Sequence, residues 1–193
     1  MQIKEKNSSY YELQNKRSFA SFNNNKVHRY LDKIQVKDKA TFSILDIGCR
    51  SNAGTVKYFI ENGFPNSYGI DIGERAEAAW ESYPFKNNLK RQDVHEGIPF
   101  NINFDLISCS HTLEHCHNPE LVLSLIYNNL KPDGYYWSQV PLGSHADTKN
   151  HEPHFCHFDS AEEHINLLTK IGFSINFILT TPDESCVLAR KGK

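Results

Sequence analysis

Ile44-Leu45-Asp46-Ile47-Gly48-Cys49-Arg50-Ser51-Asn52-Ala53-Gly54 is an apolar run that enters a turn of small residues and then opens a helix. Small residues let the backbone come close to a ligand. The first helical turn offers N–H groups that no intrahelical carbonyl takes up. Strand, small-residue turn and helix N-terminus together are the parts of a nucleotide-type binding loop. One residue stands out: Arg50 occupies a place where such a loop carries glycine.

The residues on either side continue the alternation. The first strand is expected over 42–47, and a helix from Gly54 puts Val56, Phe59 and Ile60 on one face, with Gly63 as its stop. Ser67-Tyr68-Gly69-Ile70-Asp71 reads as a second strand that ends in an acid. A helix from Glu74 turns Ala76, Ala79, Trp80 and Tyr83 inward and ends at Pro84. A third strand over 88–92 is followed by Asp93. Phe104 to Cys109 is apolar on both sides, as a central parallel strand is. Pro119 opens a helix with Leu121/Leu125 and Val122/Ile126 as its apolar pairs. Lys131-Pro132-Asp133-Gly134 reads as a turn before a fifth strand over 135–140. Residues 141–158 form a histidine-rich loop. Ser160-Ala161-Glu162-Glu163 matches a capping box, whose helix presents Ile165, Leu168 and Ile171 and stops at Gly172. Strands over 173–179 and 186–189, joined by a tight turn, predict an antiparallel hairpin. Before the first strand, residues 9–34 suggest two short helices broken near Asn23-Asn24-Asn25.

Bulk properties restrict the class. The chain has 193 residues, 39% hydrophobic and 23% charged, enough for a sizeable core and ordinary for a globular protein. No apolar run reaches membrane-spanning length, and the N-terminus has no apolar segment of signal-peptide type. The five cysteines are scattered, with no C-x-x-C pair, which argues for a reducing, cytoplasmic setting. Net charge is −2, so the whole molecule has no polyanion-binding footprint and nucleic acid is not an expected partner. Residues 1–39 nevertheless carry nine Lys/Arg against four acids, a net of +5 on a body of −7.

Several motifs occur together and in order: Leu45-Asp46-Ile47-Gly48-Cys49, Gly69-Ile70-Asp71, Asp93, Phe104-Asp105-Leu106-Ile107, His111-Thr112-Leu113-Glu114-His115 and Leu130-Lys131-Pro132-Asp133-Gly134-Tyr135. On these the chain resembles the class I S-adenosylmethionine-dependent methyltransferases, in particular the small-molecule type with a Leu-Glu-His segment after strand four. The resemblance covers residues 42–190. It implies a Rossmann-like, seven-stranded, mostly parallel α/β sheet with an antiparallel C-terminal strand and helices on both faces. Residues 40–193 would be the methyltransferase domain and residues 1–39 a helical lid. It further implies that Asp46, Gly48 and Cys49 line the methionine end of S-adenosylmethionine. Arg50 departs from the family's glycine: either it is strained by a positive φ, or it keeps an ordinary backbone and points outward, or its side chain pairs with the cofactor's carboxylate. Asp71 and Ile72 would hold the ribose, Asp93 and Val94 the adenine, and Ser110 and His111 would close the site beneath the sulfonium. The acceptor would be a small molecule methylated on oxygen or nitrogen, and the basic segment leans toward an acidic one. The departure at Arg50 keeps a second reading open, a non-catalytic relative with weakened cofactor binding.

Seven of the ten histidines lie between residues 111 and 157: His111, His115, His117, His145, His151, His154 and His157. Three readings stand side by side. A histidine could serve as general base, with His111 and His115 foremost and His154 or His157 behind them. His111, Glu114 and His115, joined by one later histidine, could hold a divalent metal, similar to the arrangement in small-RNA 2′-O-methyltransferases, which would make RNA the acceptor. Or the segment is a packing and capping element with its loop histidines facing water.

Overall fold

The computed structural model describes residues 26–143 and 154–192. The first of the two helices expected over residues 9–34, and His145 and His151, lie outside those residues. The strands are β1 (Ile44–Ile47), β2 (Ser67–Asp71), β3 (Leu89–Arg91), β4 (Phe104–Ser110), β5 (Leu130–Pro141), β6 (Phe173–Thr180) and β7 (Glu184–Lys191). They form one seven-stranded sheet in the order β3-β2-β1-β4-β5-β7-β6. The helices are α1 (Gly54–Glu61), α2 (Glu74–Trp80), α3 (Pro119–Asn129) and α4 (Ala161–Ile171). Val27–Lys33 forms a 3-10 helix. Among the described residues no helix is long and apolar enough to cross a membrane.

The chain divides into two compact units, Met1–Pro99 and Phe100–Lys193. In the first, β1 pairs in parallel with β2, and β2 with β3. All four residues of β1 are buried, the acid Asp46 among its apolar neighbours. Cys49, Ala53, Val56, Ala76, Trp80 and Leu89 form a core cluster, with Ile60, Tyr83 and Phe85 against it. Gly69 is needed there for space: a Cβ on it would come within 2.7 Å of Cys49 Sγ and 2.9 Å of Leu89 Cδ2. Helix α2 ends at Trp80 rather than at Pro84, so Tyr83 reaches the core from the turn that follows.

In the second unit β4 pairs in parallel with β5, and β7 is antiparallel to both β5 and β6, as the hairpin reading expects. Lys131–Gly134 is not a turn before β5 but an irregularity inside it. Phe104 faces Leu130 while Leu106 already faces Tyr135, so extra residues loop out of the ladder. Asp133 takes a φ of 63° in that bulge. A Cβ on Gly134 would meet Lys131 O at 2.9 Å and Phe104 O at 3.1 Å, which explains the glycine. Helix α3 is capped by the Asn118 side chain, which accepts from Leu121 N. It buries Val122, Leu123 and Ile126 and leaves Leu121 41% exposed, so the expected Leu121/Leu125 face is not the core face.

Helix α4 opens as the capping box predicts. Ser160 Oγ accepts from Glu163 N, and Glu163 Oε2 accepts in return from Asp159 N, one residue earlier than the standard partner. Gly172 closes it in the left-handed conformation. The residues it buries are His164 and Leu168, not Ile165 and Ile171. His164 is 0% exposed and lies between two hydroxyls, with Nε2 2.7 Å from Ser138 Oγ on β5 and Nδ1 2.9 Å from Ser185 Oγ on β7. A neutral imidazole satisfies both contacts, donating through one nitrogen and accepting through the other.

Burial depresses the His164 pKa to about 4, against a smaller upward pull from Glu114. The unfolded chain takes up this proton near the ordinary pKa of about 6.5, and the folded chain only near 4. The buried neutral ring therefore carries no penalty above pH 6.5. Stability falls as pH drops from there toward 4, by up to roughly 3 kcal/mol. Urea unfolding from pH 7 to 4 should show this slope in the wild type and a shallower one in His164→Gln. Identical slopes would exclude His164 as the source.

Candidate functional site

In the first unit the site is the turn that leaves β1. Gly48 N and Cys49 N both donate to Ile70 O on β2, at 2.9 and 3.1 Å. Arg50 N donates to Asp71 Oδ2 at 2.9 Å, and Gly73 N donates to Asp71 Oδ1 at 2.9 Å. From the other side, the Trp80 indole donates to Arg50 O at 3.0 Å and the Tyr83 hydroxyl to Ser51 O at 3.1 Å. The turn is thus tied to the tip of β2 and to the aromatic residues around the end of α2.

Those ties hold three left-handed residues within six positions: Gly48 at φ 78°, Arg50 at 59° and Ala53 at 41°. Arg50 therefore adopts the glycine-like backbone rather than an ordinary one. A non-glycine residue in this region costs about 1–2 kcal/mol. The hydrogen bond from its N–H to a carboxylate is charge-assisted and contributes about 1.5–3 kcal/mol. The second is at least comparable with the first, so the bond offsets the strain and the geometry persists without a glycine.

Asp71 is only 8% exposed. Burial raises its pKa above the usual carboxylate range, although the N–H groups of Gly73, Arg50 and Ile72 and the Arg50 charge pull it down. Asp46 is also buried, at 4% exposed. Burial, then the charges of Asp71 and Asp46, push the Cys49 thiol well up, so it stays protonated. Ile72, half-buried, accepts from Arg91 Nε through its carbonyl at 3.2 Å. Asp93 caps the short turn Val94–Glu96: its Oδ1 accepts from His95 N at 3.0 Å and contacts His95 Nδ1 at 2.8 Å. Val94 is buried beside it.

In the second unit the site is built at the end of β4. Ser110 Oγ donates to Gln139 Oε1 at 3.1 Å. His111 has a φ of 50° and anchors its N–H on Gln139 O. Its Nε2 is 3.0 Å from Glu184 Oε1, and Gln139 Nε2 donates to the same oxygen at 3.3 Å. Two N–H donors thus converge on one carboxylate. The other ring nitrogen of His111 is 3.6 Å from Glu114 Oε1. Burial alone would lower the His111 pKa, but the Glu114 and Glu184 carboxylates outweigh it and raise the pKa to about 9. Glu114 moves the opposite way. Burial would raise it, and the His111 contact with the charges of His115 and His111 brings it below the usual range.

The other histidines form a second group. His115 and His154 meet edge to face with ring centroids 4.6 Å apart, and His157 is 6.1 Å from His154. Glu114, His115 and His154 each bring a ligand atom within 4.8 Å of the others. Of the residues expected to act together, His111 is drawn toward Glu184 and Gln139, while His115 and His154 cluster beside Glu114 and His157 lies near His154. Glu184 and Gln139 were not among the expected site residues. Their only signal is the hairpin register, which sets Gln139 opposite Cys186 and Pro141 opposite Glu184. The Thr181 hydroxyl, accepting from Glu184 N, fixes the end of that register.

The chain belongs to the methyltransferase-domain family, whose profile matches residues 11–175. No curated protein matches it. Among solved structures, it is similar to a chain of the Haloferax volcanii complex that contains the Trm112 methyltransferase activator, with TM-score 0.78, 13% identity, and coverage of 96% of this chain and 97% of that one. An S-adenosylmethionine-dependent methyltransferase from Aquifex aeolicus gives TM-score 0.70 at 18% identity, covering 95% and 97%. A Haemonchus contortus phosphoethanolamine N-methyltransferase, solved with phosphomonomethylethanolamine and S-adenosylhomocysteine, gives 0.69 at 15%, covering 86% of this chain and 52% of that one. At these identities the likeness is one of fold.

Two measurements check the geometry. Arg50→Gly removes the left-handed strain and should leave Tm unchanged or raise it by up to about 3 °C. A clear drop would mean that the arginine side chain stabilises the fold more than its backbone costs. For His111, NMR titration should give a midpoint near 9 that Glu184→Gln moves down toward neutrality. The folded pKa lies above the unfolded one, so this stabilisation is complete below pH 6.5 and is lost as pH rises through 9. An unchanged midpoint in Glu184→Gln would exclude Glu184 as its partner.

Proposed function

We propose that the protein binds S-adenosylmethionine and catalyses methyl transfer to an oxygen or nitrogen of a small-molecule acceptor. The observation that carries this reading is the φ of 59° at Arg50. The loop keeps the backbone path of a glycine loop despite its side chain, and it does so over a buried acid at the tip of β2. The residues also fit the group chemically. Asp71 can accept from two neighbouring hydroxyls, since each carboxylate oxygen has a further lone pair beyond the one its N–H partner uses. Arg50 offers a guanidinium for a carboxylate. Asp46, Gly48 and Cys49 would line the methionine end, Ile72 the ribose, Asp93 and Val94 the adenine, and Ser110 the region of the reacting sulfur.

The cofactor supplies a methyl group already activated on a sulfonium. What the chain must add is in-line positioning of the acceptor and an outlet for its proton. We assign the acceptor to the histidine group of the second unit. His111, held between the Glu114 and Glu184 carboxylates, is an imidazolium at neutral pH and would contribute its charge there. It can take the acceptor's proton only once it has lost its own, so a His111 base predicts a rate that climbs through pH 9. A small acceptor accords with the phosphorylated amine in the Haemonchus contortus neighbour. The net charge of +5 on residues 1–39 accords with an acidic acceptor. A cytoplasmic setting accords with five free cysteines.

Calorimetric titration with S-adenosylhomocysteine tests the reading. The wild type should bind, and Asp71→Asn should bind about 10- to 100-fold more weakly, through loss of a charged acceptor. No heat at millimolar ligand would overturn the reading and favour a relative that lost its cofactor at Arg50.

A further inference from the structure

We propose that Glu114, His115 and His154 form a binding site for one divalent transition-metal ion. Each contributes one ligand atom, and the three atoms lie within 4.8 Å of one another. Ligands of one tetrahedral ion sit roughly 3.3 Å apart, given metal–nitrogen and metal–oxygen bonds of about 2.0–2.2 Å. Side-chain shifts of about an ångström would therefore close the three onto an ion.

The carboxylate is the strongest pointer. Glu114 is 2% exposed, and its Oε2 is buried with no hydrogen-bond partner among the described residues. Its Oε1 lies 3.6 Å from His111 Nδ1 and 3.8 Å from His115 Nε2. A buried carboxylate oxygen without a donor is costly, and a cation would satisfy it. The spacing to His115 is too long for a hydrogen bond and close to that of two ligands on one ion.

The third ligand is not a chance approach of a loop. Phe155 N and Cys156 N both donate to Glu114 O, at 2.9 and 3.0 Å. The backbone next to His154 is therefore fixed to the same residue that carries the carboxylate. The other two ligands are adjacent on the 3-10 turn Leu113–His115 that follows β4. His111 is not part of the set, because Glu184 and Gln139 occupy its Nε2 side. It stands instead as an outer partner of the carboxylate, of the kind that orients metal ligands.

Two imidazoles and one carboxylate suit Zn²⁺, Co²⁺, Ni²⁺ or Fe²⁺ rather than Mg²⁺ or Ca²⁺, which prefer all-oxygen shells. Three protein ligands leave at least one position for water or for an oxygen of a bound acceptor, as in catalytic rather than structural sites. Metal binding is measured apart from cofactor binding, so either result can fail without the other.

The test uses the full chain after treatment with EDTA, titrated calorimetrically with ZnCl2 and followed with CoCl2 by visible absorption. Wild type should bind one equivalent and give the absorption of a low-coordinate cobalt site. Loss of a whole ligand should cost at least the roughly 100-fold that loss of an outer partner can cost. His154→Ala, at a half-buried ring, should therefore weaken Zn²⁺ by 100-fold or more with an unchanged circular dichroism spectrum. His117→Ala, at an exposed histidine outside the set, should bind like wild type. Absence of saturable binding in the wild type would overturn the proposal, as would binding by His154→Ala equal to wild type.

Discussion

The carboxylate of Asp71 is the constraint on which the first unit's site depends. One oxygen holds the N–H of Arg50 and the other the N–H of Gly73. The same acid thereby fixes the turn after β1 and the start of the segment after β2. Placing a carboxylate in so dry a position is unfavourable, which is why its pKa is raised even with several N–H groups and a guanidinium near it. A strand-tip acid kept in place at that cost, under a turn of left-handed residues, is a departure from local preference of the kind that collects at functional sites.

The second unit repeats the pattern with different chemistry. His111 sits directly after β4 with a positive φ, and its ring lies between two carboxylates from distant parts of the chain. Glu114 is three residues away, and Glu184 arrives through the β5–β7 ladder. The arrangement divides four of the histidines into three groups. His111 is held as a cation by acids, and His164 is held neutral by hydroxyls. A third group, His115 with His154, surrounds the free side of Glu114. Their sequence neighbourhoods do not distinguish them; the groups that face each ring do.

Much of the fold was legible in the residues. Ser67 to Asp71 reads as a strand with an acid at its tip because every cue there is local: apolar residues, a flanking turn and a terminal acid. The same holds for the helix start at Pro119, the Ser160 cap and the Gly172 stop. The misreadings have a common cause. Lys131-Pro132-Asp133-Gly134 has turn composition, and the neighbouring strand absorbs it as a bulge. Leu121 is apolar at helical spacing yet faces outward, because Leu123 fits the buried face. His164 takes an interior position in place of Ile165, since two serines on separate strands stand ready to satisfy it.

The sequence by itself determined the order of elements, the acid-tipped strands and the loop that meets them. These depend on periodicity, caps and glycine placement within a few residues of one another. Only the tertiary structure decided the handedness of Arg50, because the hydrogen bond that holds it comes from Asp71, 21 residues away. It also decided which histidines gather and which part, because the Glu184 that draws His111 aside lies 73 residues further along the chain. A strand register brings such groups together, and a register is a property of paired backbones that no single stretch of residues contains.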